Sequence, residues 1–270
     1  MRTYRTFLYV HLALALRSRT LVAFNYLLPV LFFLVLAGVT ARRGGAIQGN
    51  LAMALVVGVI GNGLYGGGMQ IVAEREANIL RRLKMTPVGP GPILAASLVS
   101  GWLLYMPAVA LLQGLAYLVY GSPLPSSWLS ELALLTAGIL CFRSLGLIVA
   151  STANSVQEAS MMTQALYLPM MFFSGTTIPV SQLPSWGQTL SSVLPARHLV
   201  EGLQSVVGAN AAPASLGPGL LALLLTAGAG VTIAYVSFRW HREDRVPPRS
   251  KLALTLILLP SLVLAVWKSL

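Results

Sequence analysis

Long apolar runs, separated by short basic or proline-broken stretches, set the pattern of this chain. A helix crossing ~30 Å of hydrocarbon needs about 20 apolar residues. Six stretches meet or approach that length: 20–40, interrupted only at Pro29; 51–73; 93–120, which carries Pro107; 129–152; 161–178; and 216–238. Ahead of them, Arg2 and Arg5 precede the apolar stretch FLYVHLALAL, and Arg17 and Arg19 follow it. A short apolar segment with basic residues at both ends reads as a helix lying on the inner membrane surface, in preference to a cleaved signal peptide. The expected fold class is therefore an all-α polytopic membrane protein, with a single transmembrane domain over 1–250 and an extra hydrophobic segment over 251–270. The apolar core of that tail, Leu252 to Trp267, is broken by Pro260. It spans ~24 Å, marginal for a bilayer. A seventh crossing, placing Leu270 outside, is preferred over an end after six.

Between the fifth and sixth spans the chain is apolar but broken at Pro179, Pro184 and Pro195. Its Ser, Gln and Arg content is too high for one lipid-buried helix, and backbone in hydrocarbon must hydrogen-bond internally. Short helices dipping partway in from the outer face are expected there; the alternative is a surface loop with one amphipathic helix.

Composition strengthens the membrane reading. Of 270 residues, 56% are hydrophobic and 9% charged, against about 25% charged in soluble domains. The net charge of +11 would suggest nucleic acid if the basic residues formed one face. They fall instead in clusters between spans, as topology signals do, so no nucleic-acid partner is expected. Arg2, Arg5, Arg17 and Arg19 precede the first span; Arg75, Arg81, Arg82 and Lys84 follow the second; Arg239, Arg242, Arg245, Arg249 and Lys251 follow the sixth. All share one side if the N-terminus is cytoplasmic, opposed only by Arg42, Arg43 and Arg197. Cys141 is the single cysteine, and His11, His198 and His241 are scattered, so neither a disulfide nor a Cys/His metal cluster is expected.

Gly61, Gly63 and Gly66 have the spacing G-x-G-x-x-G. A dinucleotide fingerprint needs a strand, a tight turn and a helix N-terminus. These glycines instead lie within an uncharged stretch from Gly44 to Ala73. Together with Gly58, Gly67 and Gly68 they read as a seam where two helix backbones approach in lipid. None of the three lysines, Lys84, Lys251 and Lys268, follows a glycine. A P-loop is thus missing, and any ATP energy must come from another polypeptide.

The stretch EREANILRRLKMTPVGPGPILAASLV follows the second span. Pro87, Pro90 and Pro92 stop a helix there, so a short helix over roughly 73–84 is expected to project on the cytoplasmic side. Ile79, Leu80 and Leu83 form its apolar edge, and Glu74, Asn78, Arg81 and Arg82 the other. From spacing alone, a solvated loop carrying topology charges and a helix docking into a partner's groove both remain open. This stretch resembles the signature of ABC-2 type permeases, the membrane subunits of a class of ABC exporters. A second stretch, FFSGTTIPVSQLPSWGQTLSSVLPARHLVEGL, is similar to the family's segment after the fifth span. The likeness covers about residues 1–245.

The resemblance implies six transmembrane helices of ABC-2 type with an N-terminal interfacial helix. Glu74, Arg75, Glu76, Leu80, Arg81, Arg82, Thr86 and Pro87 would belong to a coupling helix touching an ABC ATPase subunit. Ser174, Gly175, Pro179, Pro184, Trp186 and Pro195 would mark re-entrant helices at the exit. It also implies two ATPase copies, which bind the ATP and Mg, and a second permease copy or homologue. No cofactor is expected in this chain, which would be a transport subunit and not an enzyme. Its place would be the inner membrane of a bacterial or archaeal cell. Asn62, Gln113, Arg143 and Gln164 are candidates for the pathway. Sparse polarity suits export of an amphipathic, lipid-like or drug-like cargo; a polysaccharide or lipid-linked glycan, or ion-coupled secondary transport, are the alternatives. Secondary transport would want an acidic or basic relay within the spans, and Arg143 is the one deep charge. An intramembrane enzyme is disfavoured, since no H-E-x-x-H and no paired membrane carboxylates occur.

Two features depart from the family pattern: the tail beyond 251, and Arg143 in the fourth span. An arginine at that depth costs about 2.5 kcal/mol or more unless paired or hydrated. Neither Glu131 nor Glu158 is an obvious partner by sequence distance, and a pathway or anionic-headgroup role stands level with a structural hydrogen-bonding one.

Overall fold

The computed structural model describes residues 2–85, 89–125, 127–207, 216–241 and 244. They are helical throughout, with no strand among the described residues. Helix α1 (Arg2–Arg17) leads to α2 (Arg19–Val22), a π-helical turn (Ala23–Leu27) and α3 (Leu28–Arg42). Then come α4 (Gln48–Glu76), α5 (Ile79–Leu83), α6 (Pro90–Tyr120), α7 (Trp128–Thr152) and α8 (Val156–Phe173). A 3₁₀ turn (Val180–Gln182), α9 (Ser185–Val193), α10 (Pro195–Val207) and α11 (Leu216–Val236) follow among the described residues.

Among the described residues, five helices are long and apolar enough to cross a membrane: Ala23–Arg42, Gln48–Glu76, Pro90–Tyr120, Trp128–Thr152 and Leu216–Val236. The fifth expected span differs in register. Its helix is Val156–Phe173, not 161–178, because Ser155 caps the start by accepting from the Glu158 amide, and Gly175 at φ +91° turns the chain after the end. Gln157, Glu158 and Gln164 also make it less apolar than the other five. The expected seventh crossing over 252–267 lies outside the described residues.

Pro29 does not break the first span. Proline has no N–H and its ring crowds the carbonyl four residues back. Here the preceding turn widens, so that the Leu28 amide reaches Ala23 O, and the helix continues. The turn also aims Phe24 at a ring cluster: it stacks on Tyr65 at 4.0 Å and meets Tyr167 edge-on at 5.5 Å.

Helix α4 is the axle of the bundle, packed by α3, α6, α7, α8 and α10 and 94% buried across its apolar window. It can be surrounded because one face is nearly bare backbone. A Cβ on Gly68 would stand 2.1 Å from the Gly146 carbonyl oxygen, and one on Gly146 2.6 Å from Gly63 O. Gly63, Gly67 and Gly68 thus form a packing seam between α4 and α7, whereas Gly58 faces Tyr105 of α6 and Gly61 faces Phe24, all within one helix. On its other side α7 packs against α11.

Helix α1 is 16 residues long, about 24 Å. Leu12 and Ala15 pack with Leu21 and Leu104 of α6, whereas Tyr9, Leu14 and Leu16 face outward. An outward apolar face on a helix too short to cross suits the membrane surface.

Candidate functional site

At one end of the bundle the chain gathers charges that are far apart in sequence. Helix α7 ends at Thr152, and the last carbonyls of any helix lack internal partners and carry partial negative charge. Arg75, 2% exposed at the end of α4, supplies the donors. It donates Nη1–H to Ala150 O at 2.8 Å and Nη2–H to Ala153 O. Arg239, also buried, donates both terminal nitrogens to Asn154 Oδ1 at 3.1 Å. Burial pushes its guanidinium pKa down, and Asp244 and Glu158 pull it back up. Glu76 acts on the neighbouring helix start: Oε1 accepts from the Val156 amide at 3.1 Å. Glu158 Oε2 accepts from the Asn154 amide at 2.8 Å. One residue pair of α4 therefore fastens the α7–α8 corner, a cation on the helix end and an anion on the helix start.

Substituting Arg75 by Gln removes the reach that joins two carbonyls. Loss of about 1–3 kcal/mol is expected for leaving them short of donors, read as a lower unfolding midpoint of the detergent-solubilised chain. An unchanged midpoint would show that the clamp holds nothing.

The expected continuous helix over 73–84 is corrected by the structure. Helix α4 stops at Glu76, and Asn78 takes φ +57° before α5 begins. Asparagine is among the few residues that tolerate this left-handed backbone. The break splits the motif in two. Glu74 turns inward and accepts from Gln70 at 3.0 Å, and Arg75 and Glu76 brace the corner. Beyond the break, Leu80 is fully buried and pins α5 to the bundle, while Arg81 and Arg82 are exposed beside Ile79 and Met85, the latter 89% exposed. Lys84 Nζ lies 3.1 Å from His241 Nε2, tying the foot to the segment after α11. Thr86 and Pro87 lie outside the described residues. A groove of about 470 Å³ runs alongside, walled by Leu14, Leu21, Met69, Gln70, Glu74 and Ile79.

The four candidate pathway residues go to three places. Asn62 and Arg143 meet in the core. Arg143 is fully buried and donates Nη1–H to Asn62 Oδ1 at 3.0 Å, and Nη2–H to Gly66 O at 3.0 Å and Ser100 Oγ at 3.3 Å. Asn62 in turn donates to Gly101 O at 3.2 Å. This hub joins α4, α6 and α7 through neutral acceptors, so of the two roles left open for Arg143 the structure supplies the hydrogen-bonding one. Gln113 donates to Glu131 Oε1 at 2.6 Å, toward the opposite end. Gln164 stands exposed on α8 and accepts from the Tyr65 hydroxyl.

At that opposite end, α8 gives way to short helices. Ser174 is buried with its hydroxyl 3.1 Å from Thr176 Oγ1, and Gly175 makes the turn. Pro179 precedes the 3₁₀ turn, Pro184 caps α9, and Pro195 opens α10, the position where a missing N–H costs nothing. Trp186 is exposed, with its ring 5.6 Å from Phe173. Helix α10 buries one face against α4, α7 and α11; Gly138 and Gly202 make room for Leu199 and Leu134. Sequence reasoning missed Glu131, Asn154, Glu158 and Arg239. Two of them left a signal: Glu131, an acid in the first turn of an apolar span, and Glu158, three residues after Ser155 in the spacing of a capping box.

Known proteins share parts of this sequence. A family model described as ABC-2 type transporter matches residues 3–207. The inner membrane transport permease YhhJ of Escherichia coli is 25% identical over 177 residues, covering 64% of this chain and 46% of that protein. The probable multidrug ABC transporter permease YbhS of E. coli is 24% identical over 195 residues, covering 72% and 50%. Nodulation protein J of Sinorhizobium fredii is 38% identical over 109 residues, covering 38% and 41%. The chain thus accounts for half or less of the length of each of these relatives.

Proposed function

Because the chain belongs to the ABC-2 type transporter family, a family of transporter permeases and not of enzymes, we propose that it is the membrane permease of an ATP-driven exporter. The observation that carries this is the division of the foot. Leu80 anchors α5 in the bundle while Ile79, Arg81, Arg82 and Met85 stay open, and Arg75 and Glu76 tie the same α4 end to the α7–α8 corner. A push on the exposed face would reach three helices through charge-assisted hydrogen bonds. That is the connection a motor outside the chain needs.

The rest of the reading follows from this one. The foot faces the cytoplasm, with the N-terminus on the same side, in a bacterial or archaeal inner membrane. Two ABC ATPase copies bind ATP and Mg and grip the feet of this chain and of a second permease copy. ATP shifts the pathway by binding one state better than the other. Helix α8 completes the six-span frame. Its exposed face sets Gln164 among Met161, Leu168 and Phe172. A polar amide facing lipid is unfavourable, so this face suits the second copy and the pathway between them. Helices α9 and α10 dip in at the outer end and close the exit. The cargo is amphipathic, lipid-like or drug-like, in keeping with apolar surfaces and sparse polarity.

Charge reversal of the foot, Arg81→Glu with Arg82→Glu, tests the reading. Export is expected to fall at least tenfold and the ATPase to stop copurifying, with membrane levels unchanged. Normal export by the double variant would remove the docking assignment.

A further inference from the structure

A second groove, of about 510 Å³, lies between α6 and α7 toward the end opposite the foot. Its walls are apolar: Met106, Tyr117, Trp128 and Leu132 line it, with Tyr117 and Trp128 half-exposed at its mouth. At its base stands one acid, Glu131, 2% exposed. Gln113 donates to Oε1, and the other carboxylate oxygen, Oε2, is buried without a hydrogen-bond partner.

The coupling foot does not involve this acid. A carboxylate with an unmet oxygen among apolar side chains costs several kcal/mol unless a proton, a cation or a donor offsets it. Glu131 lines the groove, and a rotation of its carboxylate would present that oxygen to a bound cation. We propose that the groove binds a lipophilic organic monocation, its charge against Glu131 Oε2 and its apolar body along the α6 and α7 walls. The volume falls within the range of small-molecule sites, which combine apolar walls with one or two placed polar groups. The two rings at the mouth add a favourable face for a positive charge. A metal ion fits poorly: it wants several oxygen or nitrogen ligands, and no cluster of three potential ligands occurs among the described residues. An anion would meet the carboxylate, and a sugar would find one amide already engaged. The groove is distant from the foot, so binding here does not depend on the exporter reading and can be measured without ATP or a motor.

The probe is tetraphenylphosphonium, with tetraphenylborate as an anion of the same shape. Equilibrium binding to the purified full chain in lipid nanodiscs, corrected for empty discs, is expected to be saturable at one site per chain. Glu131→Gln should weaken it at least tenfold, and tetraphenylborate should show no saturable binding. A second variant guards against misfolding. A Cβ at Gly114, which also lines the groove, meets nothing within 4 Å, so Gly114→Leu fills the space while leaving the Gln113–Glu131 bond alone. It should weaken binding by a similar factor. Absence of saturable binding, indifference to both variants, or equal binding of the borate would each overturn the proposal, as would a groove found covered by a second copy of the chain.

Discussion

Arg143→Ala is expected to destabilise the chain by about 3–5 kcal/mol, the scale of breaking a buried charged network and opening a cavity together. The substitution takes the donors away from Asn62 Oδ1, Gly66 O and Ser100 Oγ at once. Hydrogen bonds between membrane helices average about 0.6 kcal/mol each, so three of them do not account for the whole loss. The remainder comes from space. The guanidinium lies where three glycines admit it: a Cβ on Gly101 would sit 2.2 Å from Arg143 Nη1, and Cβ atoms on Gly66 and Gly67 would stand 2.9 Å from its side chain. Arg143→Met, which refills the volume without donors, should recover part of the loss. Arg143→Lys should also fall short, since one ammonium cannot reach acceptors on two other helices in the fork geometry of arginine. The check is unfolding in mixed micelles of lipid and sodium dodecyl sulfate. If Arg143→Met matches the wild type, packing alone explains the site and the polar hub contributes nothing.

Gly68→Ala is expected to cost about 3 kcal/mol or more, at or above the upper end of ordinary overpacking. The added methyl would lie 2.1 Å from Gly146 O and 2.9 Å from its carbonyl carbon. Both are backbone atoms of a long helix, so relief requires α4 and α7 to separate. Separation would also pull Arg75 from the α7 carbonyls, since the same pair of helices carries both contacts. Gly38→Ala in α3 is the control. Its Cβ meets nothing within 4 Å, and alanine is the better helix former by about 0.5–1 kcal/mol. Unfolding midpoints should move in opposite directions for the two variants. Equal midpoints would mean that the seam is looser than the backbone distances imply.

Much of the frame was legible before any coordinates. Span positions follow from a length rule, and five of the six expected spans lie within about three residues of a helix at both ends. The first is continuous through its proline, and the fifth moved by five residues because Ser155 and Gly175, not hydropathy, bound it. The glycine seam was legible too, since glycines in an uncharged stretch have few other uses in lipid. The foot was half legible. Its exposed residues, Arg81 and Arg82, lie where the motif implied, but the motif's first half faces inward. The signal for the break was Asn78, a single residue whose tolerance of positive φ permits a turn without demanding one.

What the chain's order of residues settles is one-dimensional: which stretches match a bilayer's thickness, where basic residues cluster, and that no P-loop lysine exists to hold a nucleotide. Each depends on a short window and on solvent chemistry, so neighbours in space are not needed. The partner of Arg143 is another matter. Asn62 is 81 residues away and Ser100 is 43, and a helix buried nearly all round shows no periodicity to say which face meets which neighbour. Likewise Arg75 and Arg81 are alike in type and six positions apart. One is sealed against α7 and the other faces out because a turn intervenes and a helix end 75 residues downstream needs donors. Contacts of that kind arise from packing, and packing is where this chain separates the charges that hold it together from the charges it leaves exposed.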